Sequence, residues 1–235
     1  MNILITGTSS GLGFGLAYYY LNHGHTVFGI SRKMNDKLKE YENFRFLYQD
    51  ISKFSEIETN LVSFLNGIKT LDLVVLNAGM LNGVKDLKDT TLDEIQHVMD
   101  VNVWSNKVLI DTLFNHINEI GQVVAISSGA AVSGARGWNA YSLSKATLNM
   151  LINLYSKEHL QTHFSALAPG IIKTKMQDYI YELPENEKYP VVERLKQLRD
   201  SGEMHDPETA AEINAKAIEQ AKGYKSGSFL DSRNM

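Results

Sequence analysis

Hydrophobic and polar positions alternate between two rhythms along the whole chain. Short apolar runs bounded by turn residues predict strands over Asn2–Thr6, Thr26–Ile30, Phe44–Tyr48, Leu71–Leu76, Gln122–Ser127, His163–Ala168 and Ser228–Leu230. Two of them, around Leu73-Val74-Val75-Leu76 and Val123-Val124-Ala125-Ile126, are apolar at every position. Strands read this way when both faces of a parallel sheet are covered. Between the runs, apolar residues recur with helical spacing over Leu12–Asn22, Phe54–Asn66, Leu92–His116, Ala140–Glu158 and Pro207–Gln220. Asp206 and Pro207 suit the start of the last one, as N-cap and first-turn residue. This strand–helix repetition predicts an α/β fold, a doubly wound parallel sheet of about seven strands with helices on both faces and right-handed crossovers.

No linker or repeat divides residues 1–235, so a single domain is expected. The rhythm fails once, between about Ile172 and His205, where charged residues and Tyr are frequent. That stretch is expected to form a lid over the end of the sheet, at about 173–205.

Composition narrows the chemistry. The chain has no Cys, which excludes disulfides, thiolate metal sites and cysteine nucleophiles. Its seven His do not gather into a ligand spacing, so no metal site is expected. A net charge of −4 without a long basic run argues against nucleic acid as a partner. Met1-Asn2 runs straight into Ile3-Leu4-Ile5 with no basic leader or cleavage site. No apolar run approaches the roughly 20 residues of a membrane span. A soluble, cytoplasmic protein is expected.

The segment Thr6-Gly7-Thr8-Ser9-Ser10-Gly11-Leu12-Gly13 joins the first predicted strand to the first helix. Glycines at such a junction permit positive φ and close approach of a phosphate to the backbone. The helix N-terminus adds free N–H groups and the positive end of its dipole. A plain tight turn would look similar, but this position at the first βα junction favours a bound dinucleotide and a Rossmann-like sheet. After the second strand, an NAD site usually places an acid for the ribose 2′-OH. Here Ser31-Arg32-Lys33 follows without one. Arg32 and Lys33 suit a 2′-phosphate, which favours NADP(H) over NAD(H).

Tyr141 and Lys145 stand four apart in a predicted helix, hence on one face. A free phenol titrates near about 10, and a neighbouring ammonium should lower that value toward the range of a useful general acid/base. Ser127-Ser128 ends one predicted strand, just before a loop of small residues, and Asn77-Ala78-Gly79 follows another. Ligands of open α/β sheets bind outside the carboxyl ends of the strands, so these segments are expected to meet at one site.

Together these motifs resemble the short-chain dehydrogenase/reductase family over nearly the whole sequence. The family's Thr-Gly-x-x-x-Gly-x-Gly turn stands as Thr6 to Gly13, its Asn-Ala-Gly as Asn77-Ala78-Gly79, and its Tyr-x-x-x-Lys as Tyr141 and Lys145. The resemblance implies an NADP(H)-dependent carbonyl/alcohol oxidoreductase. Tyr141 would be its acid/base and Lys145 would assist it. Ser128 would orient the carbonyl, and Asn102 would hold a water in a proton relay. It implies cofactor contacts from Gly7, Thr8, Ser9, Ser10, Gly11, Leu12 and Gly13, and from Ser31 and Arg32. Further contacts are implied from Asp50 and Ile51 near adenine, from Asn77, Ala78 and Gly79, and from Tyr141 and Lys145. Pro169, Gly170, Ile172 and Thr174 would surround the nicotinamide. The tail from Phe229 lacks the family's terminal Asp-Gly-Gly stretch. That favours a homodimer, through the helices over Leu92–His116 and Tyr141–Glu158, ahead of the family's homotetramer.

A non-catalytic, NADP-binding redox sensor of the same fold is the competing expectation, and such a protein would be expected to lose Tyr or Lys. The substrate is read only as a small-molecule ketone, aldehyde or alcohol. Trp138, Met176, Tyr179 and Tyr181 are candidates for its pocket as much as for packing, and Lys175 and Arg136 for an anionic group.

Overall fold

A computed structural model describes residues 1–235. Its elements are β1 (Asn2–Thr6), α1 (Gly11–Asn22), β2 (Thr26–Ser31), β3 (Phe44–Tyr48), α2 (Phe54–Phe64), β4 (Thr70–Leu76), α3 (Leu92–Met99) and α4 (Ser105–His116). They continue with β5 (Glu119–Ile126), α5 (Ala130–Ser133), α6 (Asn139–Glu158), β6 (His163–Ala168), α7 (Lys175–Glu182), α8 (Pro190–Asp200), α9 (Pro207–Ala221) and β7 (Ser228–Asp231). All seven strands are parallel, in the order β3-β2-β1-β4-β5-β6-β7. The chain winds outward from β1 to β3 and then returns to place β4 on the other side of β1. Strand order therefore reverses between β1 and β4, and a crevice opens at their carboxyl ends.

The continuous apolar runs are explained by two cores, one on each face. Ile3, Ile5 and Val124 pack with Leu16 of α1 and Ala211 and Ile218 of α9. Their neighbours Leu4, Val123 and Ala125 pack with Leu61 of α2, Leu109 of α4 and Ile152 of α6. Successive side chains of a strand point to opposite faces, so both faces need apolar residues. Cutting back a residue as enclosed as Ile5 or Phe164, each 0% exposed, would cost about 2–5 kcal/mol.

Three expectations change in detail. The helix expected over Leu92–His116 is α3 and α4 joined by one π-helical turn, Asp100–Trp104. Such a turn inserts a residue without breaking the apolar stripe, so periodicity does not reveal it. The stretch at 173–205 carries α7 and α8, which leave and rejoin the sheet end at a single parallel bridge between Ile172 and His205. A small separate core of Trp138, Ile180 and Val192 lies beneath it. β5 stops at Ile126, which places Ser127 and Ser128 just beyond the strand. No helix is long and apolar enough to cross a membrane.

Candidate active site

A cleft of about 950 Å³ runs along the carboxyl ends of the strands. Thr6 stitches together the switch point beneath it. Its Oγ1 accepts from the backbone N of Asn77 at 2.9 Å and of Ala78 at 3.0 Å, while Asn77 Nδ2 donates to Thr6 O at 2.9 Å. Gly7 follows with φ +80°, and a Cβ there would stand 2.8 Å from Asn77 Nδ2. At Gly13 a Cβ would lie 2.4 Å from both Asn77 Nδ2 and Gly7 O. Only glycines let the first turn of α1 settle onto the ends of β1 and β4.

Ser9, Ser10, Gly11 and Leu12 line the cleft above that contact. Ser10 is the N-cap of α1, yet its side chain makes no cap bond, and the first turn contains no acid. The N–H groups and dipole of α1 are thus uncompensated, which suits a phosphate. Thr8 and Gly13 do not line the cleft. Thr8 is buried below it with its hydroxyl unpartnered, and Gly13 serves the packing just described.

Arg32 is exposed on the rim, near Asp50 and Ile51. Lys33 lies outside the lining, and its carbonyl accepts from Ser31 Oγ at 2.7 Å. Burial works against the Asp50 carboxylate, but the amide and hydroxyl of Ser52, with Arg32 and Lys53 nearby, outweigh it and hold the pKa below the usual range. Five basic residues line the whole cleft (Arg32, Lys145, Lys175, Arg194 and Arg233) against two acids, Asp50 and Asp231, in a chain of net charge −4. The cleft is polarised against the rest of the molecule, as an anionic ligand requires.

At the other end, α6 places Tyr141 and Lys145 one turn apart. Lys145 is 4% exposed, and its Nζ donates to Ile126 O at 2.7 Å and stands 5.7 Å from the centre of the Tyr141 ring. Burial pushes its pKa down to about 8. Burial likewise raises the Tyr141 phenol, and the neighbouring Ser128 hydroxyl only partly offsets this. That reverses the lowering expected from Lys145. The ammonium is engaged by the Ile126 carbonyl, and desolvation dominates at an enclosed phenol.

The two adjacent serines are divided in role. Ser127 donates to Asn149 Oδ1 at 2.5 Å, tying the end of β5 to α6. Ser128 accepts from Ala130 N at 3.1 Å and meets Tyr141. Asn102 is fully buried and does not line the cleft. Its Oδ1 accepts from Met80 N at 2.8 Å, and its Nδ2 donates to Met80 O and Ser144 Oγ, both at 2.9 Å. A Cβ on Gly79 would lie 3.2 Å from Asn102 Oδ1 and 3.5 Å from Lys145 Nζ, so Gly79 leaves room where these two groups adjoin. Pro169, Gly170, Ile172 and Thr174 line the wall after β6, and Thr174 Cγ2 closes to 3.1 Å from the Cβ position of Gly11.

Trp138, Met176 and Lys175 line the cleft, whereas Tyr179, Tyr181 and Arg136 do not. Tyr181 donates to Asp200 at 2.9 Å under the Arg199 guanidinium, and Arg136 is forked onto Asp86 at 2.7 and 2.6 Å. Leu81, Arg194, Leu195 and Arg233, none of them expected from the sequence, also line the cleft. Leu81 stands two residues beyond Asn77-Ala78-Gly79, whereas Arg194, Leu195 and Arg233 come from distant segments that carry no motif.

Fold and site together define a dinucleotide-binding member of the doubly wound class. A family model described as short chain dehydrogenase matches residues 1–184, and the chain belongs to that family. It is 30% identical over 244 aligned positions to a benzil reductase ((S)-benzoin forming) of Bacillus subtilis (strain 168), covering 97% of this chain and 96% of that protein. An NADPH-dependent pterin aldehyde reductase of Arabidopsis thaliana is 30% identical over 186 residues, covering 74% of this chain and 76% of the other. The crystal structure of a short chain dehydrogenase/reductase from Saccharomyces cerevisiae superposes with a TM-score of 0.85 at 26% identity, covering 98% of this chain and 95% of that one.

Proposed function

We propose that the protein is an NADP(H)-dependent oxidoreductase that interconverts a ketone or aldehyde and its alcohol. The observation that carries this reading is the meeting of Ser128, Tyr141 and Lys145 beyond the end of β5, in a cleft that also holds the open N-terminus of α1. When bound, NADP(H) supplies or accepts the hydride at the carbonyl carbon. The backbone of Ser9, Ser10, Gly11 and Leu12 suits its pyrophosphate, Arg32 its 2′-phosphate, and Asp50 and Ile51 its adenine. Asn77, Ala78, Gly79, Pro169, Gly170, Ile172 and Thr174 suit the nicotinamide half. The NADPH-dependent relative supports the choice of cofactor.

In reduction, the hydroxyls of Ser128 and Tyr141 hold the carbonyl oxygen. Burial keeps the phenol protonated, the state from which Tyr141 gives its proton as that oxygen gains charge. The phenolate left behind is met by the Lys145 ammonium, in a desolvated setting where their attraction is strong. Asn102 acts as a positioning residue, bracing Met80 against α6 through Ser144. Trp138, Met176, Ile180 and Leu195 offer an apolar wall, and the benzil reductase among the relatives makes aryl ketones the class to try. Residues 173–205 serve as the lid. Leu143, Met150 and Leu154 leave an exposed apolar stripe on α6, which supports a homodimer through α6 and the helices of Leu92–His116.

The test is purified protein against a panel of ketones and aldehydes, benzil included, with NADPH and NADH side by side. Turnover with NADPH is expected, with a preference of about tenfold or more from a charge-assisted phosphate contact. Equal turnover with NADH would overturn the role of Arg32. Tight NADPH binding without any turnover would favour the redox sensor. A light-scattering mass of one chain would reject the dimer.

A further inference from the structure

We propose that Arg233 selects substrates bearing a carboxylate next to the reacting carbonyl, that is, oxo acids. The inference rests on the carbonyl-reductase reading above and adds a substrate class to it. Arg233 lies just past β7, at the same sheet end as Ser128. Its Nη2 stands 3.7 Å from the Cβ position of Gly129, the residue after Ser128, and its Cγ 3.8 Å from that of Gly170. The side chain therefore reaches across the end of β6 to the loop that follows β5.

Asp231 holds it in this pose. The carboxylate accepts from Arg233 Nε at 2.8 Å, from Nη2 at 2.5 Å and from the backbone N at 3.1 Å. A guanidinium carries about five N–H donors in a planar fork. Asp231 takes the Nε–Nη2 edge, and the Nη1–Nη2 edge remains unused. Such an edge matches the two oxygens of a carboxylate, and fixing the rotamer in advance reduces the entropy lost on binding. Asp231 offsets one positive charge only. Lys175 of α7 and Arg194 of α8 line the same cleft, both exposed, and stand outside the ion pairs of their own segment, Lys196–Glu193 and Arg199–Asp178. The remaining acid of the cleft, Asp50, follows β3, near the far edge of the sheet. An oxo acid would thus set its carbonyl at Ser128 and Tyr141, its carboxylate on Arg233, and its apolar tail against Trp138.

Benzoylformate and its methyl ester test this, because they share the aryl ketone and differ in the charge. The wild type should prefer the acid in kcat/KM by about tenfold or more, the scale of a charge-assisted pair. Arg233→Gln should lower the acid-to-ester ratio about tenfold, and Arg233→Lys, which keeps charge without the fork, should recover part of it. Binding of both compounds in the presence of NADP+, followed by quenching of tryptophan fluorescence, reads the same ratio without turnover. A ratio that behaves as stated in binding, with no reduction of either compound or of benzil, would leave anion recognition standing and reject the reductase reading. An unchanged ratio in variants that melt with the wild type, or parallel loss of acid and ester, would overturn the proposal.

Discussion

Replacing Lys145 with Met removes an ammonium from an enclosed position while keeping a straight side chain of similar bulk. Burial depresses the folded-state pKa to about 8 from 10.5, which makes the charged form cost about 3 kcal/mol of stability at neutral pH. Against this, Met leaves the Ile126 carbonyl without its 2.7 Å donor, a loss of about 1–3 kcal/mol. Near neutrality the Met variant should therefore match the wild type or exceed it by up to about 2 kcal/mol. The dependence on pH separates the two contributions. Below about 8, folded and unfolded chains both hold the proton and the penalty is present in full. Between about 8 and 10.5 only the unfolded chain holds it, so raising the pH favours the folded wild type. The wild type should gain about 2–3 kcal/mol on the Met variant between about pH 7 and about pH 10. Tyr20 and Tyr155, whose pKa values burial raises, give the opposite slope at higher pH, but equally in both proteins. Urea unfolding followed by circular dichroism at several pH values measures the difference. A difference that stays flat, or that moves against the wild type as pH rises, would show that burial does not depress the Lys145 ammonium.

Arg32→Ala should shrink the preference for NADPH over NADH by about tenfold or more while sparing kcat with saturating NADPH, as read from cofactor titrations of the initial rate. Asn102→Ala should lower stability by about 2–4 kcal/mol in urea unfolding, because it strips both backbone groups of Met80 of their partners at a fully buried site. The paired serines should separate by assay. Ser128→Ala should lower kcat by about tenfold to a hundredfold with little change in melting. Ser127→Ala should leave Asn149 unpaired, lower stability by about 1–2 kcal/mol, and spare much of kcat.

The sheet was legible because its inner strands are covered on both faces, so β1, β4 and β5 each carry an apolar run. The glycine-rich turn was legible for a related reason, since the contacts of Gly7 and Gly13 with Asn77 admit no side chain. The π turn at Asp100–Trp104 was hidden, because one inserted residue leaves the apolar stripe on both sides in place. The sign of the Tyr141 shift was hidden as well. Spacing along α6 places Lys145 beside the phenol, but it does not encode desolvation or the hold of the Ile126 carbonyl on the ammonium. Arg194 and Arg233 escaped notice because α8 and the tail after β7 reach the cleft only through the tertiary fold.

Tyr141 as the proton donor is tested most directly by Tyr141→Phe, in one protein sample with two readouts. The affinity for NADPH, titrated by fluorescence, should stay within about threefold, since the substitution removes one hydroxyl that meets Ser128. The rate of NADPH-dependent reduction of the best ketone in the panel should fall by about a hundredfold or more, because the proton is transferred in the transition state. A variant that binds NADPH and keeps the wild-type rate would contradict it.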